Sequence, residues 1–319
     1  MCRSLARLGI SITALSVPAL AATISFSFQT VINPADVAFT QLLGINNASK
    51  IAGYFGDGAV VPNNGFTLIL PNNFTPENFP GSVQTQVVGI NNPGETVGFW
   101  IDANGVNHGF TNIGGTFLNV SNPNTTTVTQ LLGVNDSGEA AGYWSDAAGN
   151  FHPFTWVPGA FTPITFTGLV SSQATGVNNA GQVVGFNLTS PLTSDGFLDI
   201  GGVFTKLDFP GSTFTQALGI NNSGQVVGDY LDAAGGMHGF LYTVATASFQ
   251  SIDDPNGIGT TTINGINDRG QLVGFYVDGH DNTLGFVAIA TPEPGSLTLI
   301  LIGTVLAGMS FIKLRKRRQ

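Results

Sequence analysis

One short segment, Gly-Ile/Val-Asn-Asn/Asp, recurs along the chain at Gly44, Gly89, Gly133, Gly176, Gly219 and Gly265. The intervals are 45, 44, 43, 43 and 46 residues. A near-constant period of this length marks copies of one supersecondary unit, each needing its neighbours to bury an apolar face. A second Gly follows nine positions after the first in every copy, at Gly53, Gly98, Gly142, Gly185, Gly228 and Gly274. A Phe follows 21 or 22 positions after the first, at Phe66, Phe110, Phe154, Phe197, Phe240 and Phe286.

Turn residues divide each unit into four short segments. In the fifth unit, strands are expected over 215–221, 225–231, 237–243 and 249–253, with turns at Asn222-Ser223-Gly224 and Asp232-Ala233-Ala234-Gly235. Asn or Asp opening a tight turn bonds its own backbone, and Gly closes it at positive φ. Runs such as Gln225-Val226-Val227 are β-branched and too short for helices. The composition agrees, with 43 Gly, 24 Phe and only 9% charged residues among 319. Strands joined by hairpin-length turns make an antiparallel meander, and a four-stranded meander repeated at this period is the pattern of a β-propeller blade. Aromatics follow the second Gly as Tyr54-Phe55, Phe99-Trp100, Tyr143-Trp144 and Phe275-Tyr276. Adjacent strand residues face opposite ways, so this strand is apolar on both faces, as a blade packed between two others requires. Phe186-Asn187 and Asp229-Tyr230 break the pattern.

The expected fold is therefore an all-β, six-bladed propeller over residues 22–290. A Phe opens the fourth strand of five units, at Phe74, Phe117, Phe161, Phe204 and Phe249. The same offset before Gly44 falls on Phe28, in a segment resembling that around Phe249, while the sixth unit stops after its third strand. Residues 24–32 are expected to complete the sixth blade and close the ring, removing the free ends of an open array.

The charge is unevenly placed. Arg3 and Arg7 stand at one end, and Lys313, Arg315, Lys316, Arg317 and Arg318 at the other. Three basic residues remain between them against 19 acids, about −16, a field that repels a phosphate backbone and excludes nucleic acid as a partner. A basic start, an apolar run from Leu8 to Leu20 and Ala19-Leu20-Ala21 read as a secretory signal peptide over residues 1–21. Its removal takes away Cys2, the single cysteine, so no disulfide is expected. At the other end, Pro292-Glu293-Pro294 precedes an uncharged stretch over 297–312 and the basic cluster. That order reads as a short transmembrane helix with a cytoplasmic tail.

The last thirty or so residues resemble the PEP-CTERM sorting signal of Gram-negative bacteria. The resemblance implies processing by an exosortase near Pro292-Glu293-Pro294, transient anchoring in the inner membrane, and delivery to the cell surface or an exopolysaccharide matrix. A simple C-terminal anchor is the alternative. The repeat is similar to the HAF-type extracellular repeats, through His108-Gly109-Phe110, His152-Pro153-Phe154 and His238-Gly239-Phe240. The middle residue departs from that family's tripeptide, and units one, four and six lack the His. This resemblance implies a surface location and no particular activity.

The candidates for ligand chemistry are three Asp-x-x-Gly-x-x-His sets: Asp102 with His108, Asp146 with His152, and Asp232 with His238. They are weak ligand-surface candidates, because Asp and Gly also serve the hairpin turn, and a repeat spreads equivalent positions around a circumference. No metal or cofactor is expected, since no ligand spacing matches a compact site. Asp229 is the one acid that interrupts a repeat rule, with Asp253-Asp254 nearby in sequence. No Ser-His-Asp signature and no phosphate-cradling Gly loop before a helix is present. The reading is a non-catalytic surface or matrix component that engages exopolysaccharide. A propeller glycosidase or lyase, with clustered carboxylates at one channel mouth, and a protein-binding scaffold are the alternatives.

Overall fold

In the computed structural model, residues 23–190 and 193–291 are described. The expected signal peptide over 1–21, the Pro292-Glu293-Pro294 motif, the helix over 297–312 and the basic tail from Lys313 to Arg318 lie outside the described residues. Among the described residues there are strands and turns, and no helix long and apolar enough to cross a membrane.

The strands form six separate four-stranded antiparallel sheets, the blades of a six-bladed propeller. Five sheets each come from one repeat unit in chain order. In the fifth, the strands are Thr215–Ile220, Gln225–Leu231, Met237–Thr243 and Ser248–Ile252, within a residue or two of expectation. The sixth sheet takes three strands from the last unit, Thr262–Ile266, Leu272–Val277 and Thr283–Thr291. Its fourth strand is Ser25–Val31, antiparallel to Thr283–Thr291 with Phe28 opposite Ala288. The Phe28 ring meets Phe286 edge-on at 5.3 Å.

Blades are held together by apolar side chains from adjoining sheets. Phe66, Phe110, Phe154, Phe240 and Phe286 are among the largest fully buried side chains, which explains the repeated Phe in the third strand. One cluster joins Val227 and Leu241 of blade 5 to Ile263, Leu272 and Phe286 of blade 6. Another joins Leu42, Ile51 and Phe66 of blade 1 to Val31, Val273 and Val287 of the sixth sheet. Each buried side chain of this size is worth about 1.5–3 kcal/mol relative to exposure. Packing between blades is therefore the main cohesive term in a fold without helices among its described residues.

The second Gly of each unit answers to close approach. A Cβ on Gly228 would lie 1.8 Å from the carbonyl oxygen of Gln216 on the neighbouring strand, and one on Gly98 would lie 2.0 Å from that of Gln86. No side chain fits there.

Candidate functional site

The first strand of each unit is its innermost, and the six innermost strands pack against one another around a central axis. Positions on these first strands that are equivalent in the repeat therefore converge here. On these strands the pairing with the second strand slips by one residue just before the first Gly, as between Leu42 and Gly44 or between Ile263 and Gly265. The slip recurs in all six blades. Such a bulge re-aims the residue passed over. Those residues are Leu43, Val88, Leu132, Thr175, Leu218 and Asn264, and they line the axial channel. The first Gly then has no room for a Cβ, which at Gly44 would stand 2.7 Å from the Val88 carbonyl oxygen of the next blade.

Beyond the glycines the two Asn of the repeat make two hydrogen-bonded circuits. The Asn46 amide donates to the carbonyl of Asn91 at 3.1 Å, while its Oδ1 accepts the backbone N–H groups of Ala48 and Lys50. The same link runs from Asn91 to Asn135, Asn178, Asn221 and Asn267, and Asn267 donates to Asn46 at 3.0 Å. In the second circuit each backbone N–H donates to the next blade's side chain: Asn47 to Asn92, then Asp136, Asn179, Asn222, Asp268 and back to Asn47. Burial works against charge on Asp136, but the amides of Asn179 and Asn92 outweigh it and hold the carboxyl below the ordinary range. Asp268 is likewise held down against burial by Asn47 and Asn222. These carboxylates have their donors, so this end of the channel is a clasp between blades. The sequence places the first of these Asn at a strand end and the second in the turn, as with Asn221 and Asn222. Their second role exists because six turns meet in space.

The opposite end widens into a cavity of about 370 Å³, against about 70 Å³ at the glycine level. Its wall carries Gln41, Gln86, Gln130, Gln173 and Gln216, one from each of five blades, and Thr262 holds the sixth place. Across the strand pair, the residue after the second Gly faces the same space as Phe99, Phe186 and Phe275, and as Asp229 in blade 5. In blades 1 and 3 the place belongs to Tyr54 and Tyr143, whose hydroxyls donate to Gln41 and Gln130 at 2.8 Å. Burial raises both phenols well above their usual range.

Three departures from the repeat thus fall on one side of this mouth, in blades 5 and 6. Asp229 replaces an aromatic ring, Thr262 replaces a Gln, and Asn264 replaces an apolar or Thr side chain. The Thr262 hydroxyl donates to Asp229 Oδ2 at 3.1 Å across the blade boundary. Asp229 is 5% exposed, and burial pushes its pKa up to about 7, opposed only by Thr262. Its Oδ1 and the Oδ1 of Asn264 are buried with no hydrogen-bond partner among the described residues. Orphaned acceptors of this kind are costly, on the order of 1–3 kcal/mol each. The sequence marked Asp229 but not its two companions, although aligning the six units on their first Gly exposes both.

The Asp–His sets expected from sequence are each brought together, within separate hairpins. His108 Nε2 lies 3.4 Å from Asp102 Oδ2, His152 Nε2 3.0 Å from Asp146 Oδ2, and His238 Nε2 3.2 Å from Asp232 Oδ2. Each Asp also closes its turn: Asp102 Oδ1 accepts from the N–H of Asn104 and Val106, and Asp232 Oδ1 from Ala234 and Gly236. Those donors lower the carboxyl pKa, led by the Val106 N–H at Asp102, by His152 at Asp146 and by the Gly236 N–H at Asp232. His238 also meets Asp253 at 3.0 Å, and against a burial effect that lowers it, the two carboxylates raise its pKa. The imidazoles stack on aromatic rings, His108 on Trp100 at 4.6 Å and His152 on Trp144 at 4.2 Å. No group of three or more metal-ligating side chains is assembled among the described residues.

The sequence matches no family model and no curated protein. Solved propellers are similar in shape. A TolB structure from Agrobacterium tumefaciens aligns at a TM-score of 0.58 and 8% identity, over 85% of this chain and 100% of that one. TolB from Acinetobacter baumannii aligns at 0.51 and 11% identity, over 80% of this chain and 64% of that one. An Aleuria aurantia lectin in complex with a fucose-containing disaccharide aligns at 0.48 and 11% identity, over 81% and 99% of the two chains. At these identities the likeness concerns the fold alone.

Proposed function

We propose that this protein is an exported, non-catalytic propeller of the cell surface or exopolysaccharide matrix, which binds a glycan at the wide mouth of its channel. The observation that carries the reading is the cavity at this mouth, walled by five Gln amides and three Phe rings, where Asp229, Thr262 and Asn264 together break the repeat. Sugar hydroxyls and the Gln amides can each both donate and accept, and Phe99, Phe186 and Phe275 offer apolar surface to C–H faces. Hydrolysis of a glycosidic bond ordinarily takes two carboxyl groups, whereas Asp229 is the single acid lining this cavity among the described residues, which favours binding over catalysis.

Export rests on the leader over residues 1–21 and on the Pro292-Glu293-Pro294 tail with its basic end, for which an exosortase is the implied processing partner. The same reading makes the body a closed disc. It is supported by the strand Ser25–Val31 in the sixth sheet and by Asn circuits that pass from blade 6 to blade 1.

The test is retention of the purified protein on the producer's own exopolysaccharide, with a glycan array alongside. Retention that soluble polysaccharide competes away is the expected result. Absence of retention on every glycan refutes glycan binding, and release of reducing ends from the same polysaccharide turns the assignment to a glycosidase.

A further inference from the structure

Comparison of the blades with one another brings out a vacancy in blade 4. In blade 2, Phe79, Trp100 and His108 form a stack, with Phe79 against Trp100 at 4.2 Å and 3°. In blade 5, Phe209, Tyr230 and His238 do the same, with Phe209 on Tyr230 at 3.6 Å and 5°. The equivalent residues of blade 4 are Phe166, Asn187 and Asp195, so the first ring remains and the two it would support are gone. Asn187 does not fill the space. Its Oδ1 accepts from the Ser172 hydroxyl at 2.8 Å and the Val170 N–H at 3.0 Å, and its amide donates to the Gly168 carbonyl, tying it to the preceding loop.

A cavity of about 300 Å³ is left, bounded by Phe166, Phe197 and Phe204 and rimmed by Asp195 and Lys206. Phe204 lies toward Phe166 at 4.4 Å and 33°, whereas the corresponding pairs Phe79–Phe117 and Phe209–Phe249 meet edge-on at 77° and 69°. Phe166 and Phe204 are only partly buried. Lys206 Nζ bridges Asp195 Oδ1 at 3.0 Å and Asp208 Oδ2 at 2.8 Å, with its side chain 59% exposed. Its charge is therefore fixed at the lip of the cavity and accessible from solvent.

We propose that this slot in blade 4 is a second binding site, which takes one pyranose ring. The C–H face of the sugar occupies the place of the missing rings against Phe166 and Phe204. A pair of vicinal hydroxyls meets the rim, one accepting from Lys206 Nζ and the other donating to the Asp195 carboxylate. Charge-assisted bonds of that kind are about twice as strong as neutral ones and fix orientation. The volume sits at the lower end of the range for small-molecule sites, roughly 300–1,000 Å³. A flat aromatic ligand would use the Phe faces but leave the paired charges unanswered, which is why the sugar is the better fit. The proposal is independent of the channel mouth, since no residue is shared between the two cavities.

Saturation-transfer NMR and calorimetry on the full-length protein, with methyl glycosides of glucose, galactose, mannose and fucose as probes, test it. At least one glycoside is expected to bind, and Phe166→Ala and Lys206→Ala are each expected to weaken it about tenfold, the scale of one lost stacking or charge-assisted contact. Lys206 is exposed, so its variant keeps the test valid should Phe166→Ala misfold. The proposal is overturned if none of the four glycosides binds. It is equally overturned if affinity survives Lys206→Ala unchanged, or if Asp229→Asn instead abolishes the signal and so assigns it to the channel mouth.

Discussion

Replacing Asp229 by Asn isolates the energy held in one buried carboxyl. Burial raises its pKa from 3.8 to about 7, so the folded protein keeps a proton that the unfolded chain releases near pH 4. That gap corresponds to about 4 kcal/mol. The sign follows from proton counts. Between pH 4 and 7 the native state binds more protons than the unfolded state, so this group's contribution is full below pH 4 and is lost as pH rises through 7. Asn cannot ionise, and its carbonyl can still accept from Thr262, so the variant should behave as the protonated protein at every pH. The two proteins should then have nearly equal stability at pH 4, with the variant ahead by up to about 4 kcal/mol at pH 8. Glu95 and Asp254, which burial also raises, are common to both proteins and cancel in the difference. Urea unfolding at pH 4, 6 and 8 reads this out, and with a slope near 3 kcal/mol/M the midpoints should part by about 1 M at pH 8. Parallel midpoint profiles from pH 4 to 8 would refute the reasoning, because Asp229 would then titrate as a solvated carboxylate.

Two further outcomes follow from packing. Gly228→Ala places a methyl group 1.8 Å from the Gln216 carbonyl oxygen and 2.9 Å from the Phe240 ring, so it should destabilise the protein by about 3 kcal/mol or more. Gly279→Ala, with nothing within 4 Å of its Cβ, should stay near zero in the same thermal melts, and equal effects would discredit the close-approach argument. Phe28→Ala removes the edge contact with Phe286 from a half-buried ring and should lower stability by about 2 kcal/mol. Hydrogen exchange should then show the amides of Ser25–Val31 and their partners in Thr283–Thr291 losing protection before any other sheet, and uniform protection would count against the pairing.

Much of the blade was legible in the residues. Turn chemistry is local, so Asn222-Ser223-Gly224 and Asp232 to Gly235 bounded the strands of blade 5 to within a residue or two. The repeated Phe was visible as a fixed interval from the first Gly, and its place in the core between blades came from the structure. The candidate site was legible only in part. Asp229 stands out as an acid at an aromatic position, but Thr262 lies 33 residues further on and signals nothing until the two blades adjoin. The Asp–His sets were visible as pairs, and the structure adds that each also stacks on a ring of its own blade or meets a second acid, as His238 does with Asp253.

Period, turn residues, strand alternation and charge placement can all be read along the chain, and they by themselves determined five similar four-stranded meanders and a sixth of three strands, with an acidic body and basic ends. Distances between units separated by more than forty residues are set by packing around the axis. Tertiary structure alone therefore decided that Asn46 and its five equivalents link blades, that three irregular residues share one channel mouth, and that Asn187 turns away to leave a slot beside Phe166. A repeat fixes what each copy is, and only the closeness of one copy to the next fixes what the differences between copies do.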